Sequence, residues 1–416
     1  MKLKRLLSVL DVCECTADPE LDIRDISFDS RTTQPGDLFA AVCGYESDGH
    51  RFIGAAAERG VAVVLCQRKP EVEIPYILVA DSRLALSRIC CEFFDNPSRE
   101  LTMIGVTGTN GKTTVTTLIK HMLEQCLHTK VGLIGTNANV IGDEVLHTEH
   151  TTPDAYELQK LLRRMVDAGC THAVMEVSSH SLVLHRVEGI RFRVGIFTNL
   201  SHDHLDFHKT MEAYAAAKAQ LFAQSDVGIV NADDDWAHVM LEHAKCPMHT
   251  YSAKRNDADL VAKDIRLSAS GVRFVAMHGD AIARMRLGIP GMFSVYNALS
   301  VIACACALGV SLDDCAAALD TAKPVKGRAE VLETDARCHR QHPHDGARVR
   351  TRAARVPLWL RRRPGPRQAP EDGPHRGPEG GFRHRHERQS AHGRPGGDHR
   401  RYPSRSQGDA HALCRA

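Results

Sequence analysis

The stretch LTMIGVTGTNGKTT, residues 101–114, decides the fold of this 416-residue chain. Residues 101–108 have the apolar composition of a buried strand that runs into a glycine-rich loop. The segment VTTLIKHMLEQ (115–125) follows, with apolar side chains at helical spacing. Glycines let backbone N–H groups turn toward a phosphate, and the following helix directs the positive end of its dipole at the same anion. The sequence therefore predicts a phosphate-binding loop between a strand and a helix.

The loop GTNGKTT (108–114) has one residue fewer between its outer glycines than the common pattern G-x-x-x-x-G-K-[ST], but it carries the same chemistry. We expect Lys112 to reach the β- and γ-phosphates of ATP and Thr113 to offer its hydroxyl to Mg²⁺. The alternative is a glycine turn that binds no ligand. The residues predicted to contact ATP are Gly108, Thr109, Asn110, Gly111, Lys112, Thr113 and Thr114.

Apolar runs and helical patterns alternate along much of the chain. The predicted strands are 61–66, 76–80, 171–177, 193–200 and 227–233, and the predicted helices include 154–169 and two within 292–320. Strands that alternate with helices indicate a parallel sheet covered on both faces. The prediction is an α/β fold with a small N-terminal α/β domain at 1–98 and a parallel-sheet ATPase domain at 99–334.

Composition excludes several classes of protein. A charged fraction of 25% and a hydrophobic fraction of 43% are typical of a soluble globular chain and exclude a collagen or a polytopic membrane protein. Asp11 interrupts the short apolar run near the start, so we expect an ordinary first element rather than a signal peptide. The 14 cysteines are scattered without a CxxC pair, which favours a reducing cytoplasm over a disulfide or zinc framework.

Residues 335–416 differ in composition from the rest of the chain. They contain 19 Arg, no Lys and 8 acidic residues, a net charge of +11, so residues 1–334 carry −9 of the chain's +2. Only 6 of these 82 residues are Ile, Leu, Val or Phe, too few to build a core. We therefore predict a disordered tail here. A basic disordered arm can bind nucleic acid, but the acidic residues and the lack of aromatic interleaving disfavour a nucleic-acid partner.

Three motifs resemble those of the Mur ligases, in the same order and at about the same spacing: GVTGTNGKTT (105–114), MEVSSH (175–180) and TNLSHDHLDFH (198–208). The resemblance covers about residues 20–334. It implies an ATP-dependent ligase in which ATP phosphorylates a substrate carboxylate and an amine then attacks the acyl phosphate. The most similar branch adds the third amino acid of the peptidoglycan stem to UDP-N-acetylmuramoyl-L-alanyl-D-glutamate. A cytoplasmic monomer that does not insert into membranes is implied.

The resemblance also implies a metal site and three catalytic residues. Glu176 and His204 match metal-site positions beside Thr113, with Mg²⁺ as the metal. Lys218 matches a lysine that becomes carbamylated, which converts a cation into an anion able to hold a second Mg²⁺. The implied catalytic residues are Lys112, Lys218 and His204.

A zinc site is an alternative for the same segment, because histidines and aspartates recur at every second residue in a loop. The residues concerned are His202, Asp203, His204, Asp206 and His208.

Further substrate contacts follow from the resemblance. Asn297 resembles an asparagine on the adenine side of ATP, and Arg328 resembles an arginine that reaches its phosphates. The N-terminal domain is implied to bind UDP, with FDSRTTQPGDLF (28–39) and GYESDGH (44–50) as its segments. His150 stands where asparagine is frequent and Leu184 where a glutamine can occur, which puts those two contacts in doubt. The implied contacts with the UDP-muramoyl peptide are Ser30, His150, Thr151, Thr152, Ser178 and Arg186.

Family members continue after residue 334 with an α/β domain that binds the incoming amino acid, and residues 335–416 do not have that pattern. In a shifted reading frame, 359–374 is compatible with GCGGDRDRAKRPKMG and 382–400 with FVIVTSDNPRTEDPAAII. Both resemble the missing domain, and DNPR favours meso-diaminopimelate over lysine as the diamino acid. The hypothesis is a one-base change near residue 335. Alternatives are a folylpolyglutamate synthase-like ligase, or a product that binds ATP and UDP-sugar without ligating.

Overall fold

The computed structural model describes residues 1–44, 47–325 and 327–328. The predicted domain end at 334 and the predicted disordered tail at 335–416 lie outside the described residues. Within them, the strands form two sheets, one of five and one of eleven strands. No helix among the described residues is both long and apolar enough to cross a bilayer.

The five-stranded sheet lies in the N-terminal part of the chain, as predicted. Its order is β1-β5-β4-β3-β2, parallel except for the pairing of β1 with β5. Two clusters of buried apolar side chains pack on this sheet. Leu65 belongs to one cluster and Val64 to the other, because successive residues of a strand point to opposite faces. Its elements are Leu3–Leu7 (α1), Val12–Cys15 (β1), Ile26–Ser27 (β2), Leu38–Ala40 (β3), Ile53–Glu58 (α2), Val63–Cys66 (β4), Tyr76–Val79 (β5) and Ser82–Phe93 (α3), with a 3₁₀ turn at Gly49–Phe52.

The eleven-stranded sheet contains the stretch that opened the sequence analysis, and its strand Thr102–Thr107 (β6) lies in the middle. The other strands are Val131–Ile134 (β7), Asn139–Ile141 (β8), Glu144–Leu146 (β9), His172–Glu176 (β10), Phe192–Phe197 (β11), Ser225–Asn231 (β12), Met248–Ser252 (β13), Leu260–Ser268 (β14), Gly271–His278 (β15) and Ala281–Leu287 (β16). Their order is β16-β15-β14-β13-β12-β11-β6-β10-β7-β8-β9.

Helices cover both faces of this sheet, as the alternating pattern predicted. The helices Lys112–Leu127 (α4), Met292–Ala307 (α10) and Leu312–Asp320 (α11) share one apolar cluster with Ile104 of β6. The helices Ala155–Asp167 (α5) and Met211–Ala223 (α8) pack on the other face, beside Met103. A 3₁₀ turn at Pro97–Arg99 precedes β6. The helices are Lys112–Leu127 (α4), Ala155–Asp167 (α5), Ser179–Val183 (α6), Leu205–His208 (α7), Met211–Ala223 (α8), Ala237–His243 (α9), Met292–Ala307 (α10) and Leu312–Asp320 (α11).

The large sheet is parallel in its centre but antiparallel at both ends, which the sequence reading did not predict. Strands β8 and β9 extend the sheet beyond β7, and β15 and β16 extend it beyond β14. The two-residue turn Gly279–Asp280 joins β15 to β16, with Gly279 at φ 58°. Such short turns connect antiparallel strands. The sequence signals were therefore this turn and the alternation of apolar and charged residues over 283–287, which matches the alternating burial of β16.

Hydrogen bonds join the elements around the two sheets. Tyr156 Oη in α5 donates to Asp25 Oδ1 at 2.8 Å, and Ser87 Oγ in α3 donates to the carbonyl of His185 at 2.6 Å. The domain boundary between residues 98 and 99 stays a prediction.

Replacing Ile104 with alanine tests the core around β6. Ile104 is fully buried, so we expect the free energy of unfolding to fall by about 2–5 kcal/mol through lost burial and a residual cavity. The matched control is Val145→Ala in β9, where the side chain is 69% exposed and the expected change is below about 0.5 kcal/mol. Urea unfolding of both variants measures the difference, and equal losses would contradict this placement of the core.

Candidate nucleotide and ligase site

The glycine-rich loop lies between β6, which ends at Thr107, and α4, which begins at Lys112. Gly108 has φ 143° and Gly111 has φ 89°, which disfavours any other residue at both positions. Space is also limiting, because a Cβ at Gly108 would overlap Thr198 Oγ1 and one at Gly111 would lie 2.6 Å from Asn297 Oδ1. The loop therefore has the local geometry that the sequence predicted, and it is held between two other segments.

Residues that follow β11 hold the loop from one side. The backbone N–H of Asn110 donates to Asn199 Oδ1 at 3.0 Å, and Asn199 Nδ2 donates to the Asn110 carbonyl at 3.1 Å. Thr198 Oγ1 donates to the same carbonyl at 2.7 Å. Thr109 Oγ1 accepts a hydrogen bond from the Ser201 backbone at 3.0 Å. Side-chain bonds therefore fix both the path and the orientation of the loop's peptide groups.

Two lysines converge on one carbonyl in this loop. Lys112 Nζ donates to the Gly108 carbonyl at 2.8 Å, and Lys218 Nζ in α8 donates to it at 2.9 Å. Lys218 is only 1% exposed. Burial, reinforced by the charge of Lys112, holds the pKa of Lys218 well below its usual range, and burial also lowers the pKa of Lys112. The site therefore concentrates positive charge where a negatively charged group would be stabilised.

Aromatic rings line the other side of Lys218. Its Nζ lies 4.4 Å from the ring centroid of Tyr214, one helical turn earlier in α8. The ring of His208 stacks on Tyr214 at 4.8 Å, and His208 Nε2 lies 2.8 Å from Ser179 Oγ. The ring of His204 lies 6.2 Å from that of Tyr214. Tyr214 therefore packs on the ammonium group of Lys218, and His208 packs on Tyr214 in turn.

Glu176 ends β10, the strand beside β6, and is 1% exposed. Its Oε1 accepts a hydrogen bond from the Thr136 backbone at 2.8 Å, and its Oε2 accepts one from Thr136 Oγ1 at 3.1 Å. A Cβ at Gly135 would lie 2.5 Å from Oε1, so the backbone there makes room for the carboxylate. A buried carboxylate is thus held in one orientation near the positive charge of Lys112.

Three of the predicted muramoyl-peptide residues converge beside Glu176. Thr152 Oγ1 donates to the Glu176 carbonyl at 2.8 Å and accepts from the Ser178 backbone at 3.1 Å. Arg186 Nη1 donates to the Thr152 carbonyl at 3.0 Å. Burial lowers the pKa of Arg186, and its guanidinium stays charged because its usual pKa is so high. Thr151 is next to this group, since its Oγ1 accepts from Thr136 Oγ1 at 3.1 Å.

The remaining predicted residues occupy different places. Arg328 Nη2 donates to Thr113 Oγ1 at 3.4 Å, and Asn297 in α10 lies against Gly111, so both are at the loop. Ser30 lies in the turn after β2 of the small sheet. The carbonyl of His150 accepts from Thr148 Oγ1 at 2.7 Å within an exposed loop. The structure therefore brings most of the residues predicted to bind ATP or to be catalytic together at the loop. Ser30 and His150 are not joined to them by any hydrogen bond between described residues.

The zinc alternative does not fit the described residues. Among them, three ligand atoms of His, Cys, Asp or Glu side chains come together within 4.8 Å only at Cys43, Asp48 and His50. His208, from the segment in question, has its Nε2 on Ser179 instead. The segment 202–208 therefore lacks a converged zinc ligand set.

Magnesium fits the donors at the loop better than zinc, because it prefers oxygen ligands. Glu176 supplies a buried carboxylate and Thr113 a hydroxyl, both next to the phosphate loop. His204 is half-exposed, with φ 52° and its ring 5.0 Å from that of His180. Each of these positions stays a predicted ligand.

Sequence reasoning missed Thr136, Asn199 and Tyr214. Tyr214 had a signal, because it precedes Lys218 by four residues and so shares a helix face with it. Asn199 belonged to a quoted motif but was not assigned a role. Thr136 had no signal, since its role arises from the pairing of β7 with β10.

Comparison with known proteins shows which family this chain matches. Residues 106–305 match the Mur ligase middle domain, and residues 22–93 match the Mur ligase family catalytic domain. A UDP-N-acetylmuramoyl-L-alanyl-D-glutamate–2,6-diaminopimelate ligase from Caldanaerobacter subterraneus subsp. tengcongensis is 44% identical over 326 residues, which cover 77% of this chain and 67% of the relative. The chain belongs to the Mur ligase family. A ligase of the same name from Phocaeicola vulgatus is 38% identical over 80% of this chain and 69% of its own.

A solved structure supports the same family. The structure of a UDP-N-acetylmuramoyl-L-alanyl-D-glutamate–2,6-diaminopimelate ligase has a TM-score of 0.72 to this Mur ligase at 28% identity, covering 80% of this chain and 69% of that one. The chain therefore spans about two thirds of the length of these relatives.

Substituting Gly111 with alanine tests the loop. The change places a Cβ against Asn297 Oδ1 and forces alanine to φ 89°, so we expect ADP affinity to fall at least about tenfold, or 1.4 kcal/mol. Gly169→Ala is the matched control, because Gly169 has φ 78° but no atom within 4 Å of its added Cβ. Calorimetric titration with ADP measures both variants. Unchanged ADP affinity in Gly111→Ala would contradict a loop held this closely against Asn297.

The pH dependence of stability tests the packing around His208. Burial, with smaller contributions from His180, Lys218 and His204, lowers the pKa of His208 to about 4, whereas its ordinary value is 6.5. The unfolded chain therefore binds more protons than the folded one between these values, and stability falls as the pH decreases. His208 alone should cost about 2 kcal/mol between pH 7 and pH 5.

The comparison for this prediction is between His208→Gln and His238→Gln, since His238 is exposed. Urea unfolding at both pH values should show a smaller loss of stability on acidification for His208→Gln than for the parent. The His238 variant should behave as the parent does. Identical pH dependence in all three chains would contradict a buried, neutral His208.

Proposed function

We propose that this Mur ligase domain pair is built for ATP-dependent amide bond formation on UDP-N-acetylmuramoyl-L-alanyl-D-glutamate, with meso-diaminopimelate as the incoming amino acid. The observation that carries the proposal is the convergence of Lys112 and Lys218 on the Gly108 carbonyl, beside the buried carboxylate of Glu176. Relatives that carry the name of this reaction support the substrate and favour it over that of a folylpolyglutamate synthase.

The loop residues 108–114 are proposed to hold the phosphates of ATP. The N-terminus of α4 offers unpaired backbone N–H groups to an anion, and Lys112 is already at the loop. Asn297 and Arg328 are proposed to complete the nucleotide site from the other side, because they reach Gly111 and Thr113. Bound Mg²⁺ would neutralise developing phosphate charge, with Glu176, Thr113 and His204 as its proposed ligands.

Lys218 is proposed to be carbamylated. Burial, reinforced by the charge of Lys112, lowers the pKa of Lys218 and so favours the neutral amine, which can attack carbon dioxide, forming an N–C bond and releasing a proton. The product is an anion next to Lys112, so two adjacent cations become an ion pair. Lys112, which lies on the same Gly108 carbonyl, would then pair with the carbamate. This change would remove the electrostatic cost of burying two like charges together.

The reaction is proposed to proceed through an acyl phosphate. An oxygen of the D-glutamate carboxylate attacks the γ-phosphorus of ATP, and ADP leaves. The amine of the incoming amino acid then attacks the acyl carbon, phosphate leaves, and the amine loses a proton. Positive charge at the loop would stabilise the phosphate oxygens in the first step, and Thr152, Ser178 and Arg186 would hold the peptide.

The N-terminal domain, 1–98, is proposed to bind UDP through the segments 28–39 and 44–50, with Ser30 as a contact. We propose a monomeric cytoplasmic protein, with residues 99–334 as the ATPase domain. Residues 335–416 do not have the pattern of an amino-acid-binding domain. The chain with the present sequence is therefore proposed to bind nucleotide and UDP-muramoyl dipeptide without completing the amide bond.

The first experiment is to resequence the coding DNA across Glu330–Trp359. The chain with the present sequence is then assayed beside a chain in which the reading frame has been restored. We expect both chains to bind ADP, and only the restored chain to release phosphate and form the tripeptide with meso-diaminopimelate. Amide synthesis by the chain with the present sequence would contradict the proposal that it cannot complete the amide bond. A restored chain that binds ADP but accepts neither diaminopimelate nor lysine would contradict the proposed function.

Carbamylation is tested with ¹³C-labelled bicarbonate and NMR. We expect a carbamate carbon signal from the parent chain and none from Lys218→Arg, because the guanidinium stays protonated and cannot attack carbon dioxide. Lys120→Arg is the matched control, since Lys120 is a helical lysine that pairs with Glu124. The control should keep the signal. A signal that persists in Lys218→Arg would place the carbamate elsewhere.

A further inference from the structure

The three-stranded antiparallel extension β14–β16 has rows of arginines across its outer face. Arg266 on β14 lies directly opposite Arg273 on β15, and Arg273 lies directly opposite Arg286 on β16. In the next row, Lys263 and Arg284 flank Val275. We call this surface the arginine face. The opposite face of the same strands is buried against the helices α10 and α11.

The arginine face is costly for the fold. Like charges directly opposite each other on neighbouring strands are destabilising, and this face has two such pairs. The three strands contain one acidic residue, Asp264, which lies in a bulge with φ 49°. Arg286 lies 3.5 Å from Asp320, whereas Arg266 and Arg273 have no ion pair with any described residue. The charges are therefore largely uncompensated within the described part of the chain.

Protection of a sheet edge explains only part of this pattern. Strand β16 is the edge of the sheet, and charges there prevent pairing with another chain. Arg284 and Arg286 fit that role. Strand β15 has a neighbour on both sides, so Arg273 protects no edge. Arg266 lies beyond the two residues of β14 that pair with β13, so only Arg273 is left without that explanation. A stretch of like charge in the interior of a sheet face indicates an anionic partner.

Apolar side chains lie beside the arginine rows on the same face. Ile282 is 61% exposed and lies opposite Met277, which in turn lies opposite Val261. The outward positions of the three strands carry no aromatic side chain on which a base could stack, which disfavours single-stranded nucleic acid. A basic, slightly twisted surface with an exposed aliphatic side chain fits the headgroup region of an anionic bilayer.

We propose that the arginine face docks this protein on an anionic phospholipid surface. The guanidinium groups would pair with lipid phosphates, and Ile282 would enter the boundary between headgroups and acyl chains. The proposal is independent of the ligase reaction. It would bring the candidate site near a membrane, although no helix among the described residues could span one.

The test is flotation of the full chain with phosphatidylglycerol-containing vesicles and with pure phosphatidylcholine vesicles, at about 0.1 M salt so that charges beyond about 10 Å are screened. The variant Arg273→Glu/Arg284→Glu should partition at least about tenfold more weakly than the parent, because each cation near such a surface contributes about fivefold. The matched control Lys4→Glu/Lys160→Glu has the same change of net charge on distant helices, and we expect a loss of less than about threefold.

A second variant separates binding from folding. Arg273→Thr removes the central charge of the row and inserts a residue favoured in strands, so the midpoint of thermal unfolding should stay the same or rise while vesicle binding weakens. All variants should bind ADP as the parent does, which separates this test from that of the ligase function. Ile282→Ser should also weaken binding to anionic vesicles.

Three outcomes would overturn the proposal. One is equal vesicle binding by the arginine-face variant and its control, which would assign binding to the basic residues 335–416. Another is absence of vesicle binding by the parent. The third is binding of an RNA oligonucleotide that is lost in Arg273→Glu/Arg284→Glu while vesicle binding is unchanged, which would assign the face to nucleic acid.

Discussion

The carbonyl oxygen of Gly108 is the point on which the site depends. It accepts hydrogen bonds from Lys112 and Lys218, which come from different helices, so it fixes where two ammonium groups meet. That arrangement requires a glycine at 108, because Thr198 occupies the space of a side chain there. It also requires the loop to be held rigidly, which Asn199 achieves. Electrostatic strain, steric exclusion and hydrogen bonding thus meet within one short loop.

This concentration of positive charge is only partly compensated, because neither ammonium group has a carboxylate in direct contact among the described residues. Glu176 is near but binds Thr136 with both oxygens. A protein that keeps two buried cations side by side pays for it in stability, and the natural compensation is a bound or attached anion. Burial first, and the charge of Lys112 second, lower the pKa of Lys218.

Much of the fold and of the candidate site could be predicted from signals carried by residues that are adjacent in sequence. The strand, loop and helix at 102–127 were predicted because apolar runs and glycines are local signals. The resemblance to the Mur ligases led to Lys218 and Glu176, and the metal ligands stay a prediction. The antiparallel strands β14–β16 were not predicted, because the alternation of strands and helices indicated a parallel sheet and no strand was assigned beyond residue 233. Thr136 could not be found, because its contact with Glu176 depends on which strands become neighbours.

The contact of Arg328 with Thr113 joins residues that are 215 positions apart in the chain. Asn297 is similarly distant from Gly111, although both lie at one loop. A ribosome makes the phosphate loop early, but the last elements that hold it are made long afterwards. Because such distant contacts close late in folding, a nascent chain should have no selective affinity for nucleotide until α10 has emerged. During synthesis, the nucleotide site at this loop therefore stays incomplete until the later elements of the domain have been made.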